Sequence, residues 1–265
     1  MNGVRHYLLA LQFFTCVPVT GALARWVGYS PQLLRASAGH FPGVGLLVGA
    51  LAALVYALSA HALPASPWTP LVAAILSTAA TVRLTGGFHE DGLADLADGL
   101  GGSPLRERAL EIMKDSRVGS FGVLALLLAL LAKLGLLALL GSLGWRQACA
   151  ALLLAHPLSR ALPLLLIRLL PHVGANASSK SRPLAERIGQ RSLLTAAVWA
   201  LLALVLAGSL LRPSSLGAAL LASALAFAWM WRLLRRRLQG FTGDALGATQ
   251  QVCELACYLG LALAA

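Results

Sequence analysis

The sequence predicts an all-α, polytopic integral membrane protein: about seven transmembrane helices, with an N-terminal interfacial or re-entrant helix before them. Three observations predict it. Hydrophobic residues make up 58% of the 265 and charged residues 12%, with a mean hydropathy of +0.77; soluble domains carry about 25% charged residues. The apolar residues fall in runs near the ~20 residues that cross about 30 Å of hydrocarbon. Lysine and arginine alternate between rich and poor connecting segments. A backbone in lipid must satisfy its own hydrogen bonds, so the runs are expected to be helices.

The chain opens on Arg5 and "YLLALQFFTCVPV", with "ALA" at 22–24. This has some features of a signal peptide. Its apolar part is short and interrupted by Gln12 and Pro18, so an interfacial or re-entrant amphipathic helix fits better. Seven spans follow, at 43–60, 67–86, 119–141, 147–170, 192–211, 216–231 and 245–264. The fourth is broken by "HPLSR", with Pro157 and Arg160, and again at Pro163. A prolyl kink beside an intramembrane arginine reads either as the wall of a polar cavity or as a kinked packing helix with Arg160 paired locally. The cysteines, Cys16, Cys149, Cys253 and Cys257, form no CxxC and no Cys/His cluster with metal spacing. Cys253 and Cys257, four apart in an apolar helix, read as small membrane-core residues. No repeat, low-complexity tail or second soluble domain is visible, so residues 1–265 are expected to form a single membrane-embedded domain.

Topology follows from the basic residues. The N-terminal stretch holds Arg5, Arg25 and Arg35, and the 61–66 loop none. The 87–118 loop holds Arg106, Arg108, Lys114 and Arg117, the 142–146 turn Arg146. The 171–191 loop holds Lys180, Arg182, Arg187 and Arg191, the 212–215 turn Arg212, and the 232–244 loop Arg232, Arg235, Arg236 and Arg237. The positive-inside rule then puts the N-terminus and the three long loops in the cytoplasm and the C-terminus outside. The net charge of +11 is thereby explained by topology, with no nucleic acid as partner.

Against this background the acids are misplaced. Seven of the ten lie between Glu90 and Asp115, on the side where arginine is usual. The stretch "GGFHEDGLADLADGLGG" (86–102) holds Glu90, Asp91, Asp95 and Asp98. If 89–98 is helical, Asp91, Asp95 and Asp98 share one face at i, i+4, i+7. Two carboxylates 4 Å apart repel by about 4 kcal/mol at an effective dielectric near 20. A cation among them, or protonation of some, relieves this, and Mg²⁺, which takes carboxylate oxygens together with water and phosphate, is the simpler solution. The closing glycines Gly99, Gly101 and Gly102 fit either a loop folding over a ligand or a plain hinge.

Two further stretches extend the site. "IMKDSRVGSFG" (112–122) sets Lys114, Asp115, Ser116 and Arg117 before Gly119 at the start of the third span. A helix N-terminus with adjacent cations suits phosphate; ordinary capping is the alternative. "GFTGDALGATQQ" (240–251) places Thr242 and Asp244 at the start of the last span, on the same side of the membrane. Asp244 reads either as a further metal or substrate group or as an N-cap aspartate. His89 adjoins the acids and is a candidate proton shuttle. Carboxylates followed by a cationic, glycine-bearing helix start are equipment for phosphoryl transfer.

Taken with "LQFFTCVPV" and "HFPGVGLLVG", these motifs resemble, in order and from the start of the chain to its last helix, the cobalamin synthase (adenosylcobinamide-GDP ribazoletransferase) family. The resemblance implies a polytopic inner-membrane enzyme requiring Mg²⁺. It would assemble the nucleotide loop of vitamin B12 from adenosylcobinamide-GDP and α-ribazole or its 5′-phosphate, releasing GMP. Membrane lipid, and a homo-oligomer or a complex with other corrinoid-pathway enzymes, complete the expected partners. One departure stands at the start: "TCVPV" lies where the family commonly has an arginine before isoleucine–proline. On this reading Glu90, Asp91, Asp95 and Asp98 hold Mg²⁺, joined by Asp244. Lys114, Asp115, Ser116, Arg117, Gly119, Thr242 and Asp244 contact substrate, and Asp95 or Asp98, with His89, handles the proton.

Other readings are weaker. A CDP-alcohol phosphotransferase or aromatic prenyltransferase needs a second multi-aspartate motif, and the later loops offer Glu186 and Asp244. A cation carrier needs acids within spans, where Glu254 stands nearly alone.

Overall fold

A computed structural model describes residues 2–174 and 188–265. The basic residues Lys180, Arg182 and Arg187, counted above in the 171–191 loop, lie outside the described residues, as does Glu186. Every regular element described is helical; one isolated bridge joins His172 to Phe241. The helices are α1 (Asn2–Phe14), α2 (Gly21–Val27), α3 (Pro31–Ser37), α4 (Phe41–Ala62), α5 (Thr69–Thr85), α6 (Phe88–Gly102) and α7 (Arg106–Ile112). They continue with α8 (Ser120–Leu143), α9 (Trp145–Ala161), α10 (Pro163–Leu169), α11 (Gln190–Gly208), α12 (Pro213–Arg237) and α13 (Gly243–Leu263).

All seven expected spans are helical. Five segments are by themselves long and apolar enough to cross a membrane: Pro31–Ala62, Ser120–Leu143, Trp145–Leu169, Gln190–Gly208 and Pro213–Arg237. The α5–α6 pair, bent by 88°, makes a sixth if counted as one span. α13 is not among them. It carries Asp244, Gln250, Gln251 and Glu254, and packs against α6, α8, α9, α10 and α12. Enclosed by its neighbours, it does not need a uniformly apolar surface. By contrast α8 and α11 leave Leu128, Leu131, Val198 and Val205 exposed, as lipid-facing helices do. At 13 residues α1 is about 20 Å long, short of the ~30 Å of a bilayer core, and packs on α3 and α4.

Small residues set the closest helix approaches. On α4, a Cβ at Gly45 would meet the His156 carbonyl oxygen at 2.5 Å and one at Gly49 that of Leu152 at 2.6 Å. This is close packing of the kind small residues permit between membrane helices. Pro157 lies inside α9, and Pro163 opens α10 after it, so the broken fourth span is two helices in succession.

The buried apolar side chains form two clusters at opposite ends of the bundle. One gathers Leu9, Phe14, Phe41, Leu96, Met113, Leu166, Leu234 and Phe241; the other Ala52, Tyr56, Ala73, Leu137, Leu152, Ala219, Tyr258 and Leu261. The first brings α1, α6, α7 and the starts of α4 and α13 to one end. The second holds the end of α13 beside the start of α12, where Ser215 donates to the Ala264 carbonyl at 2.6 Å.

Candidate active site

Gly86 and Gly87, with φ of 67° and 69°, end α5 and turn the chain into α6. Residues 88–102 are helical, so Asp91, Asp95 and Asp98 do share one face. Here the reading of 87–118 as a loop is corrected. Gly99, Gly101 and Gly102 lie within α6 and form neither a flap nor a hinge. A Cβ at Gly99 would meet Met113 at 2.5 Å, and one at Gly101 would meet the Phe121 ring at 2.5 Å. These glycines admit α7 and α8 against α6. The far end of α6 is fixed by Arg237, whose Nη2 donates to the carbonyls of Leu100 (2.9 Å) and Ser103 (2.8 Å).

Gly92 does the same for α13. A Cβ there would lie 2.8 Å from the Asp244 carbonyl oxygen and 3.0 Å from its Cα. The first turn of α13 thereby reaches the acidic helix. Thr242, not Asp244, is the N-cap: its hydroxyl accepts from the Ala245 N–H at 3.1 Å. The capping alternative for Asp244 is therefore set aside, and its carboxylate is left for the site, with a 3.4 Å hydrogen bond from the Thr242 hydroxyl. The approach to α13 is held by the bridge to 171–174, where Phe241 N–H donates to Pro171 O and Val173 N–H to Phe241 O, each at 2.9 Å.

The electrostatic result is concentrated on Asp95. Burial, and then the charges of Asp91, Asp244 and Asp98, push its carboxyl up to about 7. Asp244 is also raised, by burial and by Asp91, against the Thr242 hydrogen bond. Glu90 accepts from Gln251 Nε2 at 3.0 Å, and its other oxygen is buried without a partner. Among the described residues no three His, Cys, Asp or Glu side chains close on one point as a preformed metal cage. An open set of hard carboxylate oxygens from two helices nevertheless suits Mg²⁺, which takes few protein ligands and fills its shell with water and substrate phosphate.

Asp98 is differently placed. It is 8% exposed, and its two oxygens accept from the N–H groups of Gly119 (2.7 Å) and Gly122 (2.8 Å) in the first turn of α8. It occupies the helix N-terminus expected to receive phosphate. Gly119 and Gly122 are small because a Cβ at either would collide with this carboxylate. Beside it opens a polar cleft lined by Asp98, Arg108, Asp115, Arg117 and Gly119. In that cleft Arg117 is bidentate on Asp115 (Nη2–Oδ2 2.6 Å, Nε–Oδ1 2.9 Å), and these bonds bring the Asp115 carboxyl down to about 2. Lys114 and Ser116 are exposed beside the cleft and do not line it.

His89 points away from the acids into the bundle. It is 3% exposed and stacks on Phe14 at 5.5 Å. Burial, with Arg160 adding to it, puts its pKa well below 6.5, so the ring is neutral at pH 7. Beneath it lies a polar network that the sequence reading left unassembled. Glu254 on α13 pairs with Lys133 of α8 at 2.6 Å and accepts from Gln250 (2.6 Å) and Tyr258 (3.1 Å). Arg160 donates to the His156 carbonyl at 3.0 Å, and Gln250 to Ser159 at 2.8 Å. Arg160 thus has a local partner and also lines a cavity, which reconciles the two readings of the broken span. The signal for the Lys133–Glu254 pair was a lone lysine in one apolar run and a lone glutamate in another.

Comparison with known proteins places the chain among relatives of full length. The family model described as cobalamin-5-phosphate synthase matches residues 6–262. An adenosylcobinamide-GDP ribazoletransferase of Polaromonas sp. (strain JS666 / ATCC BAA-500) is 66% identical over 98% of this chain and 97% of its own. One of Albidiferax ferrireducens is 60% identical over 98% of both. One of Leptothrix cholodnii is 50% identical over 98% and 96%. No solved structure matches.

Proposed function

The chain belongs to the cobalamin-5-phosphate synthase family, and from that membership we infer that it carries out the nucleotide-loop assembly step of vitamin B12 biosynthesis. A ribose hydroxyl of α-ribazole, or of its 5′-phosphate, attacks the corrinoid-side phosphorus of adenosylcobinamide-GDP. The new O–P bond replaces the pyrophosphate P–O bond, adenosylcobalamin or its phosphate forms, and GMP leaves with the released electron pair.

The observation that carries the site assignment is the close approach of the start of α13 to Gly92 of α6, which brings Asp244 to the helix bearing Asp91 and Asp95. Asp91 and Asp244, with the unpartnered oxygen of Glu90, would hold Mg²⁺. Bound there, the ion would offset the charge of the pyrophosphate and of the transition state. Asp95 accepts the proton of the attacking hydroxyl. Its raised pKa matches a general base working near neutrality, and among the described residues no hydrogen bond ties up its oxygens. Asp98 positions the start of α8 through Gly119 and Gly122. Arg117, exposed in the adjoining cleft, is available to exchange its Asp115 partner for a phosphate, with Lys114 beside it. His89, neutral and turned inward, packs the base of the site.

The protein would reside in the cell inner membrane, with the end bearing α6 and the start of α13 in the cytoplasm and the C-terminus outside. The distribution of loop arginines supports this orientation. Purified protein given adenosylcobinamide-GDP, α-ribazole and Mg²⁺ is expected to form adenosylcobalamin and GMP one to one. No GMP release would refute the assignment.

A further inference from the structure

On the inward side of α6 lies a cavity that the phosphate chemistry does not use. Its walls come from the end of α1, the starts of α4, α6 and α13, and α10. Phe14, Phe41, Phe88 and Phe241 supply aromatic surface, with His89 stacked at 9° on Phe14. Phe14 and Phe41 meet edge to face at 4.2 Å, and Phe14 and Phe88 at 5.6 Å. The cavity volume is about 60 Å³, enough to admit water.

Two polar side chains interrupt the apolar lining. Arg160 and Gln250 both line the cavity, at 5% and 2% exposure. Arg160 Nε and Gln250 Oε1 are buried without partners, one donor and one acceptor. Leaving such groups unpaired costs about 1–3 kcal/mol each, more for a charged one. Arg160 is tied to His156 through Nη1, and Gln250 to Ser159 and Glu254 through Nε2. The network under the cavity thereby holds a guanidinium and an amide in place at its wall.

We propose that this cavity binds the planar aromatic base of the acceptor nucleoside, stacked among the phenylalanines with its free ring nitrogen toward Arg160. The proposal rests on the transfer reaction inferred above. In a two-ring base of which one ring nitrogen carries the ribose, the single free edge atom is an acceptor nitrogen, which suits apolar walls with the Arg160 guanidinium among them. The guanine of the donor has polar groups around most of its rim, which these walls would leave unsatisfied. Location agrees as well. The cavity shares His89 with α6 and Gly243 with α13, so its mouth adjoins Asp244. A base seated here would direct its ribose along the start of α13 toward Asp244, where the hydroxyl must react.

Binding of benzimidazole to the purified, membrane-reconstituted protein tests this directly, by equilibrium dialysis with no turnover required. Wild type is expected to bind it. Phe41→Leu, which removes a wall, and Ile167→Phe, which fills the space without removing a ring, are each expected to weaken binding at least fivefold. The same variants should raise the KM for α-ribazole at least fivefold with little change in the KM for adenosylcobinamide-GDP. A protein that releases GMP but does not bind benzimidazole would overturn the proposal and leave the reaction intact. So would displacement of benzimidazole by guanosine, or a rise in the donor KM. Benzimidazole binding lost in the variants of a protein that releases no GMP would refute the reaction and support the cavity assignment.

Discussion

Asp95 and Asp98 stand three residues apart on α6 and meet opposite surroundings. Asp95 is half-buried among acids, with its carboxyl pushed up to about 7. Asp98 is bound by two backbone N–H groups at the start of α8. The same conservative change should therefore have different consequences. Asp95→Asn is expected to lower turnover by 10²-fold or more, the usual order for losing a general base, with a melting temperature in detergent that holds or rises, because the change removes a carboxylate that burial and neighbouring acids disfavour. Asp98→Asn turns an amide N–H₂ toward a backbone N–H, and is expected to destabilise the fold by about 1–3 kcal/mol as well as impair activity. Equal stability losses in the two variants would contradict the division of roles. The sign of the pH effect follows from Asp95. A base must be deprotonated, so the rate should fall about tenfold per pH unit below its pKa. At low Mg²⁺ the midpoint of that limb should sit near 7. Higher Mg²⁺ should move it to lower pH, because a nearby cation favours the carboxylate. A midpoint independent of Mg²⁺ would separate Asp95 from the metal.

Among the elements, α13 joins the site to the bundle. Its first turn supplies Asp244; seven residues on, Gln251 reaches Glu90, and three further, Glu254 reaches Lys133 of α8. Removing one partner of a buried pair leaves the other uncompensated, at a cost of about 3–5 kcal/mol. Lys133→Met alone is expected to cost about that much, and Lys133→Met with Glu254→Gln to recover most of it, as read by thermal unfolding. Strict additivity of the two changes would mean the pair does not couple. Gly92→Ala should separate α6 from α13, since its Cβ would fall 2.8 Å from the Asp244 carbonyl oxygen. Loss of activity with the helical content retained is the expected result by circular dichroism and GMP release. The i, i+4, i+7 spacing of the aspartates made the acidic face of α6 legible in the sequence, because helical periodicity is local. The inner network was only partly legible. Lys133 and Glu254 are conspicuous in apolar runs, but nothing local says that they meet, nor that Gln251 reaches Glu90 across 161 residues. The role of Asp98 was hidden for the same reason: its partners are backbone amides on another helix.

At the scale of the whole molecule, the buried apolar side chains separate toward two ends, and the chemistry is gathered at one. The helical class and the positions of the spans followed from composition and run length. The aromatic cavity did not, because Phe14, Phe41, Phe88 and Phe241 are spread along the chain and meet only in the folded bundle. If the N-terminus and α6 lie inside, a tag at the N-terminus should resist protease added to spheroplasts and one at the C-terminus should be cut. The reverse pattern would put the site on the wrong side for cytoplasmic nucleotide substrates. The central claim is that carboxylates of α6 and α13 form one cation–pyrophosphate site. Its most direct test is Mn²⁺ binding, followed by electron paramagnetic resonance, in reconstituted protein with adenosylcobinamide-GDP present. Wild type is expected to bind one Mn²⁺ per active site in competition with Mg²⁺, and Asp91→Asn and Asp244→Asn each to weaken it at least tenfold. Unchanged Mn²⁺ affinity in both variants would contradict the account.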